Sequence, residues 1–122
     1  MKFNRKAIAV GAAAVTATAG LLLGTAASAQ AADASHGCPS GDVCFYPGAG
    51  WNNDQPSQTY YKYGTYNLSN MYGTYRIFNN QTGGATMRTC TGYNGSGCQG
   101  YLPAGWYIDK DMTPINSITL EP

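Results

Sequence analysis

Polar and apolar residues alternate along two short segments of the chain, one near its middle and one at its end. Residues 73–77 and 116–120 each run small or polar, hydroxyl, apolar, polar, apolar. Because successive side chains of a β-strand point to opposite faces, this period of two predicts a strand with one buried face in each segment. The side chains expected to point inward are Tyr75, Ile77, Ile118 and Leu120.

Further strands are predicted where β-branched and aromatic residues lie between turn-forming residues. No segment beyond the first 37 residues shows a convincing helical period, and residues 101–114 contain two prolines and a glycine that oppose a helix. The sequence therefore predicts an all-β fold. The additional strands are expected at Val43 to Tyr46, Gln58 to Tyr63, Ala85 to Cys90, Gly100 to Leu102 and Trp106 to Ile108.

The first 29 residues have the pattern of an export signal. Three basic residues precede an apolar run from Ala7 to Gly24, and Ala27-Ser28-Ala29 forms a small-x-small cleavage box. A membrane anchor is the rival interpretation, but the run is rich in alanine, interrupted by threonine and barely long enough to span a bilayer. We therefore expect cleavage after residue 29, a flexible leader over residues 30–37, and a secreted, extracellular domain over residues 38–122.

The charge balance of the remaining chain restricts its partners. The predicted signal contains three of the seven lysines and arginines, which leaves four basic residues against six acidic ones and a net charge of −2. Because there is no basic patch, neither nucleic acid nor an anionic membrane surface is expected as a partner. The length left after cleavage suits one small domain, and a monomer is expected.

Four cysteines remain in the predicted secreted domain. In an oxidising compartment they should form two disulfides, for which three pairings are possible. Cys38 and Cys44 flank a turn-forming proline and glycine, and Cys90 and Cys98 flank Asn94-Gly95, a strong hairpin signal. These turns favour the two local pairings, Cys38 with Cys44 and Cys90 with Cys98. A zinc site is the alternative use of four cysteines.

One spacing pattern recurs in the two halves of the domain. An aromatic residue is followed after four residues by a second bulky apolar residue, and two positions later by a residue that tolerates a left-handed backbone. Two such repeats of roughly 40 residues, each ending in an alternating strand, predict paired Greek-key motifs that form a β-sandwich with two local disulfides. The two sets are Tyr46, Trp51 and Asn53 in the first half, and Tyr93, Cys98 and Gly100 in the second.

The spacing pattern that opens each half and the alternating strand that closes it together resemble the βγ-crystallin motif. The segment CPSGDVCFYPG, residues 38–48, runs from a short disulfide loop directly into the first motif, and a second short disulfide loop lies late in the chain. This combination is similar to the secreted streptomycete metalloproteinase inhibitors, and the similarity extends over residues 38–120. The resemblance implies a monomeric, βγ-crystallin-like sandwich of two Greek keys that inhibits extracellular peptidases.

The same resemblance implies a reactive peptide bond just after the first cysteine of the second disulfide loop. The implied partner is an extracellular protease. A disulfide-held segment is already ordered, so it enters a protease cleft with less entropy to lose. Three glycines in the same loop oppose that stiffness. The implied reactive bond joins Cys90 and Thr91, and the reactive loop comprises Cys90, Thr91, Gly92, Tyr93 and Asn94.

Catalysis is not expected from this sequence. His36 is the only histidine, and it falls in the predicted leader, where a general base cannot be held in position. Asp109 and Asp111 are the nearest approach to a carboxylate pair, and we expect both to be solvated in a loop. No cofactor and no metal site are predicted. The two segments that match crystallin calcium sites, residues 69–74 and 112–117, keep only neutral oxygen donors or have lost the leading ones.

Six of the ten tyrosines fall within residues 59–78. As half-buried sheet residues, they would stabilise a small domain that is short of leucine. Alternatively, Tyr61 and Tyr63 form an aromatic surface. That interpretation supports a different function, a non-inhibitory βγ-crystallin-type binding module or a small antimicrobial toxin-like protein that recognises cell-wall glycan or a surface partner. The residues alone do not choose between the two functions.

Overall fold

Eight β-strands and one short 3-10 helix (Asn52–Asp54) make up the regular structure of residues 34–122, the part of the chain that the computed structural model describes. This range contains no α-helix, and so no helix long and apolar enough to cross a membrane. The predicted export signal and residues 30–33 lie outside the described residues. The all-β prediction is confirmed. The strands are β1 (Val43–Pro47), β2 (Gln58–Tyr60), β3 (Gly64–Asn67), β4 (Thr74–Asn79), β5 (Thr86–Cys90), β6 (Cys98–Pro103), β7 (Tyr107–Asp111) and β8 (Ser117–Glu121).

The main departure from the predicted strands occurs at residues 58–63, where one strand was expected. β2 ends at Tyr60 and pairs with β1, whereas β3 begins at Gly64 and pairs with β8 in the other sheet. The chain therefore crosses between the sheets at residues 61–63. Gly64 has a φ of +144°, a backbone conformation that favours glycine. A local alternation pattern cannot show that its two ends belong to different sheets.

Two four-stranded antiparallel sheets pack together, and each combines strands from both halves of the chain. The first sheet has the order β2-β1-β4-β7, and the second has the order β3-β8-β5-β6. The first half of the chain (β1 to β4) contributes β1, β2 and β4 to the first sheet and β3 to the second. The second half (β5 to β8) contributes β5, β6 and β8 to the second sheet and β7 to the first. This exchange makes the two halves depend on each other for a complete fold.

The apolar core lies between the two sheets. Ile77, Ile118 and Leu120 are buried in it, as the alternation predicted, and the half-buried Tyr75 packs against the same cluster. Burial of an aliphatic side chain of this size contributes about 1.5–3 kcal/mol to folding. The buried members of the core are Val43, Phe45, Leu68, Met71, Ile77, Met87, Leu102, Met112, Ile115, Ile118 and Leu120.

The outer face of the first sheet is covered around β1. Cys44 and Tyr46 alternate along β1 with residues of the main core, yet both are fully buried. They belong to a second apolar cluster on the other side of the strand, which explains why β1 is buried on both faces. The Cys38–Cys44 disulfide, which confirms the predicted pairing, ties the covering segment to β1. The remaining members of this cluster are Cys38, Phe78 and the half-buried Trp51.

His36 is held by the folded domain, which corrects the expectation that it lies on an unanchored leader. Its ring stacks on Trp51 with the ring centroids 3.7 Å apart, and its Nδ1 lies 3.0 Å from Oδ1 of Asp54. The buried Tyr46 hydroxyl donates to the backbone carbonyl of His36 at 2.7 Å. The leader composition gave no sign of these contacts, because the anchoring residues come from later in the chain.

The repeated spacing pattern is only partly reflected in the structure. Tyr46 and Trp51 meet edge to face at 5.2 Å, and both Asn53 and Gly100 have the expected positive φ, +55° and +48°. Tyr93, however, is 57% exposed and does not occupy a core position like that of Tyr46. The expected equivalence is wrong here because the second half forms a disulfide-closed hairpin at this point.

Candidate functional site

The second disulfide closes the hairpin between β5 and β6. Cys90 and Cys98 face each other as directly paired residues at the ends of the two strands, with Cα atoms 3.8 Å apart. The predicted pairing is therefore confirmed. Residues 90–98, called the disulfide loop below, include all five residues expected to form the reactive site.

The backbone of the disulfide loop forms a regular hairpin. The Thr91 N–H donates to the Gly97 carbonyl at 3.1 Å, and the Gly92 N–H donates to the Ser96 carbonyl at 2.8 Å. Both residues of Asn94-Gly95 have positive φ, as the hairpin signal in the sequence predicts. The loop is consequently ordered by its own hydrogen bonds as well as by the disulfide.

Side chains at the start of β8 and just before it fix the loop further. Ser117 Oγ donates to the Gly92 carbonyl at 2.7 Å and accepts from the Gly95 N–H at 3.0 Å. Asn116 Nδ2 donates to the Thr91 carbonyl at 2.7 Å. Each of these bonds restrains a residue at or beside a glycine. The flexibility that the glycines would otherwise give to the loop is therefore removed.

The tip of the disulfide loop lies against the second sheet rather than projecting from it. A Cβ atom added at Gly95 would lie only 3.3 Å from Thr65 Oγ1 and 3.5 Å from Thr119 Cγ2. Asn67, the last residue of β3, forms two hydrogen bonds with Asn94. The sequence indicated the loop but missed these supports. They come from β3 and β8, which only the tertiary fold brings to the hairpin.

The peptide bond between Cys90 and Thr91 lies at the base of the loop. Cys90 is fully buried, and its carbonyl oxygen accepts the Asn116 N–H at 2.9 Å. Thr91, Tyr93 and Asn94 are exposed. These three residues, together with Ser96 and Gly97, form the exposed surface of the loop, while the carbonyl of the expected reactive bond is held by the scaffold.

Tyr61 and Tyr63 lie in the link between β2 and β3 and are 66% and 56% exposed. They border a groove of about 310 Å³. This groove is at the far end of β5 from the disulfide loop, because the Thr86 end of that strand contacts the groove residue Gln81 and the Cys90 end begins the loop. The two candidate sites are therefore separate. The other residues that line the groove are Ser40, Gly41, Asp42, Gln81 and Thr82.

Asp109 and Asp111 lie in strand β7 and not in the expected loop; both are exposed, as expected, and both are hydrogen-bonded. Asp109 accepts from Arg76 Nε at 2.7 Å and from Nη2 at 2.9 Å, and Arg76 also lies over the Tyr107 ring. This guanidinium holds the pKa of Asp109 below its usual range. Asp111 accepts from the Thr113 N–H, which lowers its pKa. Both carboxylates are therefore ionised near neutral pH and unsuited to act as general acids.

The chain matches no protein-family model, no curated protein and no solved structure. Across residues 34–122, no three histidine, cysteine, aspartate or glutamate side chains lie close enough together to hold a metal ion. The disulfide loop and the groove are the two candidate sites for function.

Proposed function

We propose that this protein is a secreted, monomeric inhibitor of extracellular peptidases, with metalloproteinases as its targets. The inhibitor presents the disulfide loop as a rigid contact surface. The observation that carries the proposal is the set of hydrogen bonds by which Asn67, Asn116 and Ser117 fix the loop backbone. A loop that already has one conformation loses little conformational entropy when it docks into a cleft. The domain acts as a binding scaffold and not as an enzyme.

The strand exchange supports the family resemblance on which this proposal depends. In each half the fourth strand lies beside the first, and the third strand joins the other sheet. Two Greek-key motifs in a βγ-crystallin-like sandwich account for this order, since the fourth strand of a Greek key returns to lie beside the first. The disulfide loop follows the first strand of the second half, where the resemblance implies the reactive site.

Two features of the loop favour a long-lived complex over cleavage. The hydrogen bond from the Asn116 N–H to the Cys90 carbonyl restrains the peptide bond that a protease would attack. The Cys90–Cys98 disulfide keeps the two ends together if the bond after Cys90 is cut. The exposed side chains of Thr91 and Tyr93 then supply the contacts with the protease.

The proposal is tested by titrating the oxidised protein against a panel of secreted metalloproteinases and serine proteases. We expect inhibition of at least one metalloproteinase, with a single slow cut after Cys90. Tyr93→Ala should weaken inhibition about tenfold or more, because exposed aromatic residues at the centre of an interface commonly dominate binding. Tyr61→Ala is the matched control, since Tyr61 is similarly exposed but lies at the other end of the domain.

Two results would overturn the proposal. One is full protease activity at micromolar inhibitor, with rapid cleavage at many positions of the loop. The other is equal loss of inhibition in Tyr93→Ala and Tyr61→Ala, which would show that the loop is not the contact surface.

A further inference from the structure

The groove beside Tyr61 and Tyr63 has no part in the proposed inhibitor function. It is built from three chain segments: the turn at residues 40–42, the link at residues 61–63, and residues 81–82. Backbone hydrogen bonds of 2.8 Å join the turn to Asn80, from the Gly41 N–H to the Asn80 carbonyl and from the Asn80 N–H to the Asp42 carbonyl. The groove is therefore formed in advance of any ligand, as small-molecule sites usually are.

Gln81 contributes a hydrogen-bond acceptor that the chain itself does not use. Its Nε2 donates to Asn79 Oδ1 at 3.0 Å and to the Thr86 carbonyl at 3.2 Å, so the orientation of the side-chain amide is fixed. The residue is only 6% exposed, and its Oε1 has no hydrogen-bond partner among the described residues. A buried amide oxygen without a donor is unfavourable. Because Gln81 lines the groove, a ligand donor that reaches this oxygen from the groove would satisfy it.

Asp42 adds a second and negatively charged acceptor. It is half-buried, its carboxylate forms no ion pair within residues 34–122, and burial raises its pKa. The nearby cation Lys62 does not form an ion pair with this carboxylate; its Nζ lies over the Tyr61 ring instead, 5.8 Å from the ring centre. A carboxylate without a cation, in a secreted domain expected to carry net negative charge, attracts a positively charged group.

The two tyrosines determine the shape of the expected ligand. An exposed tyrosine ring offers a flat apolar face at little entropic cost. The groove therefore suits a ring with an apolar face whose substituents are hydrogen-bond donors, one of them charged. We propose that this groove binds a pyranose ring bearing a free amino group, as in a glycan of deacetylated amino sugars. Ser40 and Thr82 supply hydroxyl groups for the remaining ring substituents.

The test is a calorimetric titration of the oxidised protein with a short glucosamine oligosaccharide, in a mildly acidic buffer that keeps the amine protonated. A cello-oligosaccharide of the same length is the comparison ligand, because it has the same linkage and no amine. We expect the glucosamine oligosaccharide to bind about tenfold more tightly, because only its amine can form an ion pair with Asp42. No protease is present, so the result is independent of the inhibitor function.

Three variants make the test specific to the groove. Tyr61→Ala should weaken binding of both oligosaccharides, whereas Asp42→Asn should remove the preference for the amine. Tyr93→Ala should bind like the unchanged protein, because Tyr93 lies at the far end of the domain. Near-ultraviolet circular dichroism verifies that each variant is folded.

Three outcomes would overturn the inference. The first is that the unchanged protein does not bind the glucosamine oligosaccharide at millimolar concentration. The second is equal affinity for the two oligosaccharides. The third is a preference for the amine that survives in folded Asp42→Asn.

Discussion

Asn67 and Asn94 are joined by two reciprocal hydrogen bonds across 27 residues of chain. The Asn94 N–H donates to Asn67 Oδ1 at 2.7 Å, and Asn67 Nδ2 donates to Asn94 Oδ1 at 3.0 Å. Asn67 ends β3, the strand that the first half of the chain supplies to the second sheet. The strand exchange therefore places a residue of the first half where it fixes the disulfide loop of the second.

Replacing Asn67 by alanine is expected to loosen the loop without unfolding the domain. Two exposed hydrogen bonds are lost, so the free energy of unfolding should fall by about 1–2 kcal/mol. Amide hydrogen exchange at Asn94 should accelerate, because its N–H loses the acceptor. Gln99→Ala is the matched control, since the Gln99 amide makes one long contact, 3.5 Å from Lys110 Nζ. Unchanged exchange at Asn94 in folded Asn67→Ala would contradict the prediction.

The two disulfides are expected to contribute similar stability but to differ in their effect on inhibition. Their cysteines are separated by 6 and 8 positions, and the chain-entropy model gives roughly 2.5 kcal/mol for loops of this length. Replacing Cys90 and Cys98 by alanine should abolish inhibition, because the loop loses its closure. Replacing Cys38 and Cys44 should lower the urea midpoint and leave inhibition intact. Loss of inhibition in the folded second variant would show that the loop is not the contact surface.

The Tyr46 hydroxyl is predicted to hold the segment that precedes Cys38. Tyr46→Phe removes the hydrogen bond to the His36 carbonyl and keeps the ring against Trp51, so the free energy of unfolding should fall by about 1 kcal/mol. Limited proteolysis should then cut before Cys38 more rapidly. Burial raises the pKa of Tyr46 to about 12. In an ultraviolet titration, the tyrosine that ionises at the highest pH should therefore be missing from the variant. Equal proteolysis of both proteins would contradict this prediction.

The elements that the sequence predicted well are those that depend on local pattern. Ile77, Ile118 and Leu120 face the core because the period of two is a property of each strand alone. The Cys90–Cys98 pairing was equally predictable, because the turn residues between the two cysteines bring them opposite each other.

The features that the sequence did not show arise from contacts between distant segments. Asn67 and Ser117 support the loop only because β3 crosses to the second sheet and lies beside β8. His36 is held by Trp51 and Tyr46, although the composition around His36 is typical of a disordered leader. Side-chain supports of this kind carry no periodic signal, so neither the composition nor the alternation of the chain predicts them.

The pair formed by Arg76 and Asp109 is predicted to stabilise the fold at neutral pH and not in acid. A carboxyl group with a lowered pKa in the folded state stabilises the fold above its unfolded pKa, and this contribution is lost as the pH falls through the folded pKa. The Asp109 side chain is 34% exposed, so the contribution should be below about 1 kcal/mol. Asp109→Asn should therefore lower the urea midpoint at pH 7 and have little effect near pH 3. An equal effect at both pH values would exclude this electrostatic origin.

Asp42 is predicted to have the opposite effect on stability. Burial raises its pKa, and a carboxyl group whose pKa is raised by folding opposes the fold while it is ionised; stability is regained as the pH falls through the folded pKa. Asp42→Asn should therefore raise the free energy of unfolding at pH 7 by up to about 0.5 kcal/mol, and the gain should vanish near pH 3, where both side chains are neutral. Urea unfolding at the two pH values measures this difference, with Ser40→Ala as a control at the rim of the same groove. If the same substitution also removes the preference for an amino sugar, the charge of Asp42 lowers stability and serves binding, a common conflict at functional sites. A less stable Asp42→Asn at pH 7 would show instead that the ionised carboxylate supports the fold.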